Sequence, residues 1–163
     1  MVLIPGVVQS VERIPVIAAG GIYSGRSMLA AMTLGAEAVQ IGSRFVTSIE
    51  ASSHPNFKDA VVNSKEGDTH LSMKVVTPVR LLKNDFYQQV IQAEATGASR
   101  EQMLQLLGRA RAKKGMFEGD LSEGELEIGQ VSAHLHSIQP AGAIVEEIWS
   151  EFLTYLADPL KRP

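Results

Sequence analysis

Cysteine is absent from this sequence of 163 residues. That removes disulfides, thiol nucleophiles and thiolate metal ligands at once. An excess of positive charge is missing too. Fifteen basic side chains stand against 18 acidic ones, for a formal net charge of −3, so no overall field draws nucleic acid or an anionic membrane. No apolar run approaches the roughly 20 residues a bilayer-crossing helix needs. The N-terminus lacks a basic segment followed by an apolar stretch, so no signal peptide is expected and a cytoplasmic location is the expectation. Histidine is sparse: His54, His70, His134 and His136 are scattered, none at metal-ligand spacing, and no metal site is expected. Hydrophobic content is 45% and charged content 20%, which is ordinary for a globular chain, and the length suffices for one domain with a core.

Along the chain, Ile4, Val7, Val8 and Val11 recur at helical spacing and predict a short amphipathic helix within residues 2–12. The run IPVIAAGGI, residues 14–22, is nearly continuous in apolar residues and is closed by two glycines, as expected of a parallel strand buried on both faces. Ser24 is placed to cap a helix that Gly35 can end. AEAVQIGS, residues 36–43, predicts a second buried strand stopped by glycine. Strand, helix, strand is a βαβ unit, from either a doubly wound sheet or a (β/α)₈ barrel. Only two such strands are found, and a closed barrel needs about eight, so this chain cannot close one alone.

After residue 45 the pattern becomes mostly helical, with helices expected near 56–63, 84–96, 100–114 and 140–156. Segment 69–83 reads as extended at first, although Pro78 argues against a central strand there. Residues 115–130, with four glycines and a cluster of acids, predict an ordered surface loop, and residues 158–163 a polar, frayed tail. The expected division is residues 1–50 as a βαβ part, 51–157 as a mostly helical segment, and 158–163 as the tail.

The chemistry concentrates at the two glycine stops, Ala19-Gly20-Gly21 and Gln40-Ile41-Gly42-Ser43. Each follows the C-terminal end of a strand, the edge that carries ligands in barrels and open α/β sheets. Glycine lets an anion approach the main chain and permits dihedrals that aim successive N–H groups at it. A helix behind each turn adds its positive end. Two such turns can clamp one phosphomonoester, with Ser43 adding a hydroxyl. The alternative is that these are ordinary turn glycines. Arg44 could add a charge, but a surface or salt-bridged role is the expected one for it.

IPVIAAGGI and LGAEAVQIGSRF together resemble the end of flavin mononucleotide (FMN)-dependent TIM barrels. SSHPNFKDAVV, VTPVRLLKN and KKGMFEGDLSEGELEIGQ sharpen that into a resemblance to the nitronate monooxygenase family, with FMN-dependent enoyl-acyl-carrier-protein reductases close by. The resemblance implies an α/β fold, the C-terminal part of a (β/α)₈ barrel followed by a mostly helical segment. It also implies a flavin oxidoreductase acting on a small-molecule substrate. Ala19, Gly20, Gly21, Gln40, Ile41, Gly42 and Ser43 would hold the FMN phosphate. Gly129 and Gln130 would lie toward the flavin. The family's catalytic histidine is expected N-terminal to every segment matched here, so none of the four histidines takes that role. A missing N-terminal portion, or pairing into a homo-oligomer, is expected to cover the exposed strand edges.

Other clusters read more simply. Arg109, Arg111, Lys113 and Lys114 lack interleaved aromatics and predict a solvated helix end, not a nucleic-acid patch. Glu118, Asp120, Glu123, Glu125 and Glu127 do not match an EF-hand loop. Phe117, Trp149 and Phe152 are expected to pack.

Overall fold

The computed structural model describes residues 2–161. Met1, and Arg162 and Pro163 of the expected tail, lie outside the described residues. The chain forms two compact units. The first combines Met1–Glu50 with Gln139–Pro163, and the second is Ala51–Ile138. The C-terminal helix therefore belongs with the N-terminal βαβ part, whereas the expected division grouped it with the helical segment that starts at residue 51.

In the first unit, helix α1 (Leu3–Ser10) leads to strand β1 (Ile17–Ala19), helix α2 (Gly25–Thr33), strand β2 (Ala38–Gln40) and a single turn, α3 (Ser43–Val46). The long helix α8 (Ala141–Ala157) completes it. The strands pair in parallel, with Ile17 opposite Ala38 and Ala19 opposite Gln40. α2 starts where the sequence says it must: the Ser24 side chain accepts from the Ser27 amide, and the Ser27 hydroxyl closes a reciprocal capping box. Gly35 follows its end at φ 103°. Ala18, Ile22, Ala31 and Ala36 form the core between sheet and helices, while α8 buries Ile144, Ile148, Phe152 and Tyr155 at helical spacing.

One expectation fails here. The strands are not buried on both faces: Ala18 is buried, but Ile17 is 58% exposed and all of β2 is exposed or half-exposed. A strand is covered on both sides only when layers flank its sheet on both faces, and this two-stranded pair is covered on one.

The second unit contains α4 (Pro55–Val62), an antiparallel hairpin of β3 (Thr69–Ser72) and β4 (Val79–Leu82), α5 (Asp85–Ala95), α6 (Arg100–Leu107), α7 (Arg111–Met116) and a 3-10 turn at Gln130–His134. Pro78 sits just before β4, where its missing N–H costs no ladder bond. Met73, Leu81, Phe86, Tyr87, Val90 and Met103 make the core. The helix expected over 100–114 is broken in two, because Gly108 and Ala110 both take positive φ, 65° and 58°. The loop expected on the surface over 115–130 is also revised. Its first residues end α7, and residues 126–128 add to the hairpin edge, with Leu82 N donating to Leu126 O at 2.9 Å and Ile128 N to Arg80 O at 3.1 Å. Leu126 and Ile128 are buried there. Of the three aromatics expected to pack, Phe152 is buried; Phe117 is half-exposed, and so is Trp149, which stacks on Phe152 at 5.3 Å. Among the described residues, no helix is long and apolar enough to cross a membrane.

Candidate functional site

The register of β1 against β2 decides the geometry. Because Ala19 lies opposite Gln40, the turns after them leave the sheet side by side at one edge. Gly20 and Gly21 both lie at positive φ, 88° and 75°, a region in which an L side chain costs about 1–2 kcal/mol. Two successive such positions bend the chain at the strand end. Gly42 is different. Its φ of −103° suits any residue, and a Cβ there meets nothing within 4 Å. Neither backbone conformation nor packing within the chain requires glycine at 42. Ala19, Gly20, Gly21, Gln40 and Gly42 are exposed, while Ile41 and Ser43 are half-buried. All seven residues singled out from the sequence thus sit at one open sheet edge, with room over three glycines for a group to touch the main chain.

Arg44 takes the expected salt-bridged role, and one expectation at this edge, a helix end free for an anion, is corrected. Arg44 does not reach toward the turns. It is buried, and its guanidinium donates to Glu147 Oε2 at 2.8 Å and Gln139 Oε1 at 2.9 Å, both on or next to α8. Its Nε is buried without a hydrogen-bond partner. The positive end of α2 is also occupied, since the Gly25 amide donates to Glu151 Oε2 at 2.7 Å and Ser24 caps the Ser27 amide. Arg44 and the Gly25 and Ser27 amides are thus engaged within the chain.

All four histidines belong to the second unit. His54 is the N-cap of α4, its Nδ1 accepting from the Asn56 amide at 3.1 Å, and the Gly119 backbone packs against its ring. His70 lies against Tyr87 with ring centroids 5.9 Å apart. His134 and His136 are exposed. Three members of the basic cluster form ion pairs with the acidic loop: Lys113 to Glu118 at 3.1 Å, Lys114 to Asp120 at 2.9 Å, and Arg111 to Glu123 at 3.2 Å. Asp120 also accepts from the Ser122 and Glu123 amides, and these bonds, led by that from Glu123, hold its pKa below the ordinary value. Among the described residues, no group of three His, Asp or Glu could hold a metal.

One feature of the acidic loop escaped the sequence reading. Glu125 and Glu127 line a cavity of about 260 Å³ with Met73, Val76, Thr77, Pro78, Val79 and Leu107. Burial, then repulsion from Glu127, pushes the Glu125 carboxyl up to about 7, with Arg111 opposing. Burial raises Glu127 as well. The signal was present in the order Glu125-Leu126-Glu127-Ile128. Read with period two, it puts both acids on one face and both aliphatics on the other.

Comparison with known proteins follows the same lines. The family model for nitronate monooxygenase matches residues 1–151. A probable nitronate monooxygenase of Staphylococcus aureus is 37% identical over 147 residues, covering 90% of this chain and 41% of the relative. Among solved structures, FabK from Thermotoga maritima superposes with a TM-score of 0.85 at 37% identity, over 97% of this chain and 50% of FabK. A nitroalkane oxidase from Streptomyces ansochromogenes gives 0.76 at 26% identity, over 96% of this chain and 44% of its own. The chain thus spans half or less of the length of these relatives.

Proposed function

Since the chain belongs to the nitronate monooxygenase family, we propose that it is the cofactor-gripping part of an FMN-dependent oxidoreductase, contributing the last two βα units of a (β/α)₈ barrel. The observation that carries this reading is Gly42, a glycine that neither φ nor packing demands, at the same sheet edge as the paired left-handed Gly20 and Gly21. A main chain stripped of Cβ at three points on one edge fits a phosphate laid directly on amides. Ala19, Gly20 and Gly21 would hold one side of it, and Gln40, Ile41, Gly42 and Ser43 the other. When bound, FMN supplies the electron transfer: in the intact enzyme it would accept electrons from an alkyl nitronate and pass them to oxygen. This chain's residues fix the phosphate, and thereby set where the ring is tethered. The base expected for proton removal lies outside the segments matched here. The exposed Ile14, Ile17 and Ile49 would be covered by an N-terminal portion or by a second copy.

The test compares FMN with riboflavin, which lacks only the phosphate, by quenching of flavin fluorescence. FMN should bind at least tenfold more tightly. Gly42→Ala should erase that difference while leaving unfolding free energy within about 0.5 kcal/mol, because its φ tolerates alanine. Equal affinity for both flavins would refute the phosphate grip. A second reading, hydride reduction of an enoyl thioester, is favoured by the likeness to FabK. Anaerobic titration of the full-length protein with a nitronate, against NADPH plus an enoyl thioester, separates the two. A third, a non-catalytic piece, predicts a colourless oligomer.

A further inference from the structure

The cavity lined by Glu125 and Glu127 lies wholly within the second unit and has no place in the flavin reading. Its composition is unusual. Its apolar lining is Met73, Val76, Pro78 and Val79 from the hairpin, and Leu107 from the end of α6. Its polar lining is Thr77, Glu125 and Glu127. Glu125 is only 7% exposed, and among the described residues its carboxylate has no hydrogen-bond donor and no ion-pair partner. The nearest strong candidate, Arg111, is committed elsewhere. Its Nε donates to Leu107 O, Nη1 to Glu123, Nη2 to Leu106 O, and its plane covers the Phe86 ring at 4.4 Å. The Glu125 oxygens keep access to solvent, and an acid shielded this far without a partner gains from a guest that donates to it.

We propose that this cavity is a binding site for a small primary alkylammonium ion, its head held by Glu125 and Glu127 and its hydrocarbon stem by the Met73–Val79 and Leu107 wall. The chemistry fits on three counts. An ammonium group has three donors and no acceptor, and the polar lining residues carry two carboxylates and one hydroxyl. Two acids placed together on one strand face favour a cation over a neutral or anionic guest. A fully hydrated inorganic cation has no use for five apolar wall residues, whereas a short alkyl chain loses water against them.

The experiment is calorimetric titration of the whole chain at pH 8 and constant ionic strength with n-butylammonium, n-butanol, n-butyrate and sodium ion. Saturable binding of n-butylammonium at least tenfold tighter than any of the other three is expected. Glu125→Gln should weaken it at least tenfold, and Glu118→Gln, an exposed acid paired with Lys113, should leave it unchanged. Glu125→Gln keeps the side-chain shape and removes a like-charge repulsion, so loss of fold is not expected. Glu127→Gln gives an independent reading should the Glu125→Gln variant fail to fold. Butanol binding as tightly as butylammonium, or full affinity in both glutamine variants, would overturn the proposal.

Discussion

The amide of Gly25 donates to the carboxylate of Glu151 at 2.7 Å, so the positive end of α2 is spent on docking α8. The same glycine sets how close the helices come. A Cβ at 25 would lie 2.1 Å from Phe152 N and 2.5 Å from Ile148 O, distances that no side chain tolerates. This end of α2 serves helix packing.

Gly25→Ala should therefore be among the most damaging single-methyl additions in the chain. The clash is with backbone, which cannot rotate away, so a loss of about 3 kcal/mol or failure to fold is expected. Urea unfolding measures it. A loss under about 0.5 kcal/mol would mean that α2 and α8 are not packed this closely.

Glu147→Ala leaves the buried Arg44 guanidinium with Gln139 as its remaining side-chain acceptor. Arg44 is well shielded while Glu147 is half-exposed, so screening reduces the pair's worth, and the cost should be about 1–2 kcal/mol. Because Arg44 follows directly on the Gln40–Ser43 turn, FMN affinity should fall with it, and Glu147→Gln should restore most of both. Unchanged stability in the alanine variant would show that the pair carries nothing.

Asn84 serves two elements at once. Its Oδ1 caps α5 through the Tyr87 amide at 2.9 Å, while its Nδ2 donates to Leu121 O at 3.0 Å and Gly124 O at 2.8 Å. Asn84→Ala removes both the cap and the loop anchor, and should cost about 2 kcal/mol, against about 1 kcal/mol for Ser99→Ala, which removes a helix cap alone. Equal losses from the two would mean the loop bonds contribute nothing.

What could be read from the sequence was local. Ser24 before an apolar-periodic run signals a helix start through chemistry within four residues, and the capping box appears there. Two strands ending in glycine signal a βαβ unit, and register then places both turns on one edge. What could not be read depends on distant partners or unusual dihedrals. A salt bridge was the expected role of Arg44, but its partner could not be named because Glu147 is far along the chain. Ala110 has no sequence mark of a left-handed residue, so the break between α6 and α7 was invisible although Gly108 stood beside it. The exposure of Ile17 depends on what flanks the sheet, which no strand states about itself. The burial of Leu126 was hidden by the glycines and acids around it, which read as surface.

Glu125 gives the clearest pH signature. Its carboxyl stands at about 7 in the folded chain against 4.5 for the ordinary group, raised first by burial and then by Glu127, with Arg111 of α7 opposing. Between those values the folded state holds a proton that the unfolded state has released. Stability must then fall as pH rises through this window, with the full penalty reached above about pH 7. Glu127 is shifted the same way and adds to the trend. The expected loss from pH 5 to pH 8 is about 2 kcal/mol on this account, discounted for partial solvation. Glu125→Gln should flatten the curve and make the chain more stable than the parent at pH 8, while changing little at pH 5. Urea denaturation at the two pH values reads this directly. A parent chain that gains stability from pH 5 to pH 8, with the glutamine variant following in parallel, would mean that Glu125 is solvated and not enclosed against Leu107 and the hairpin.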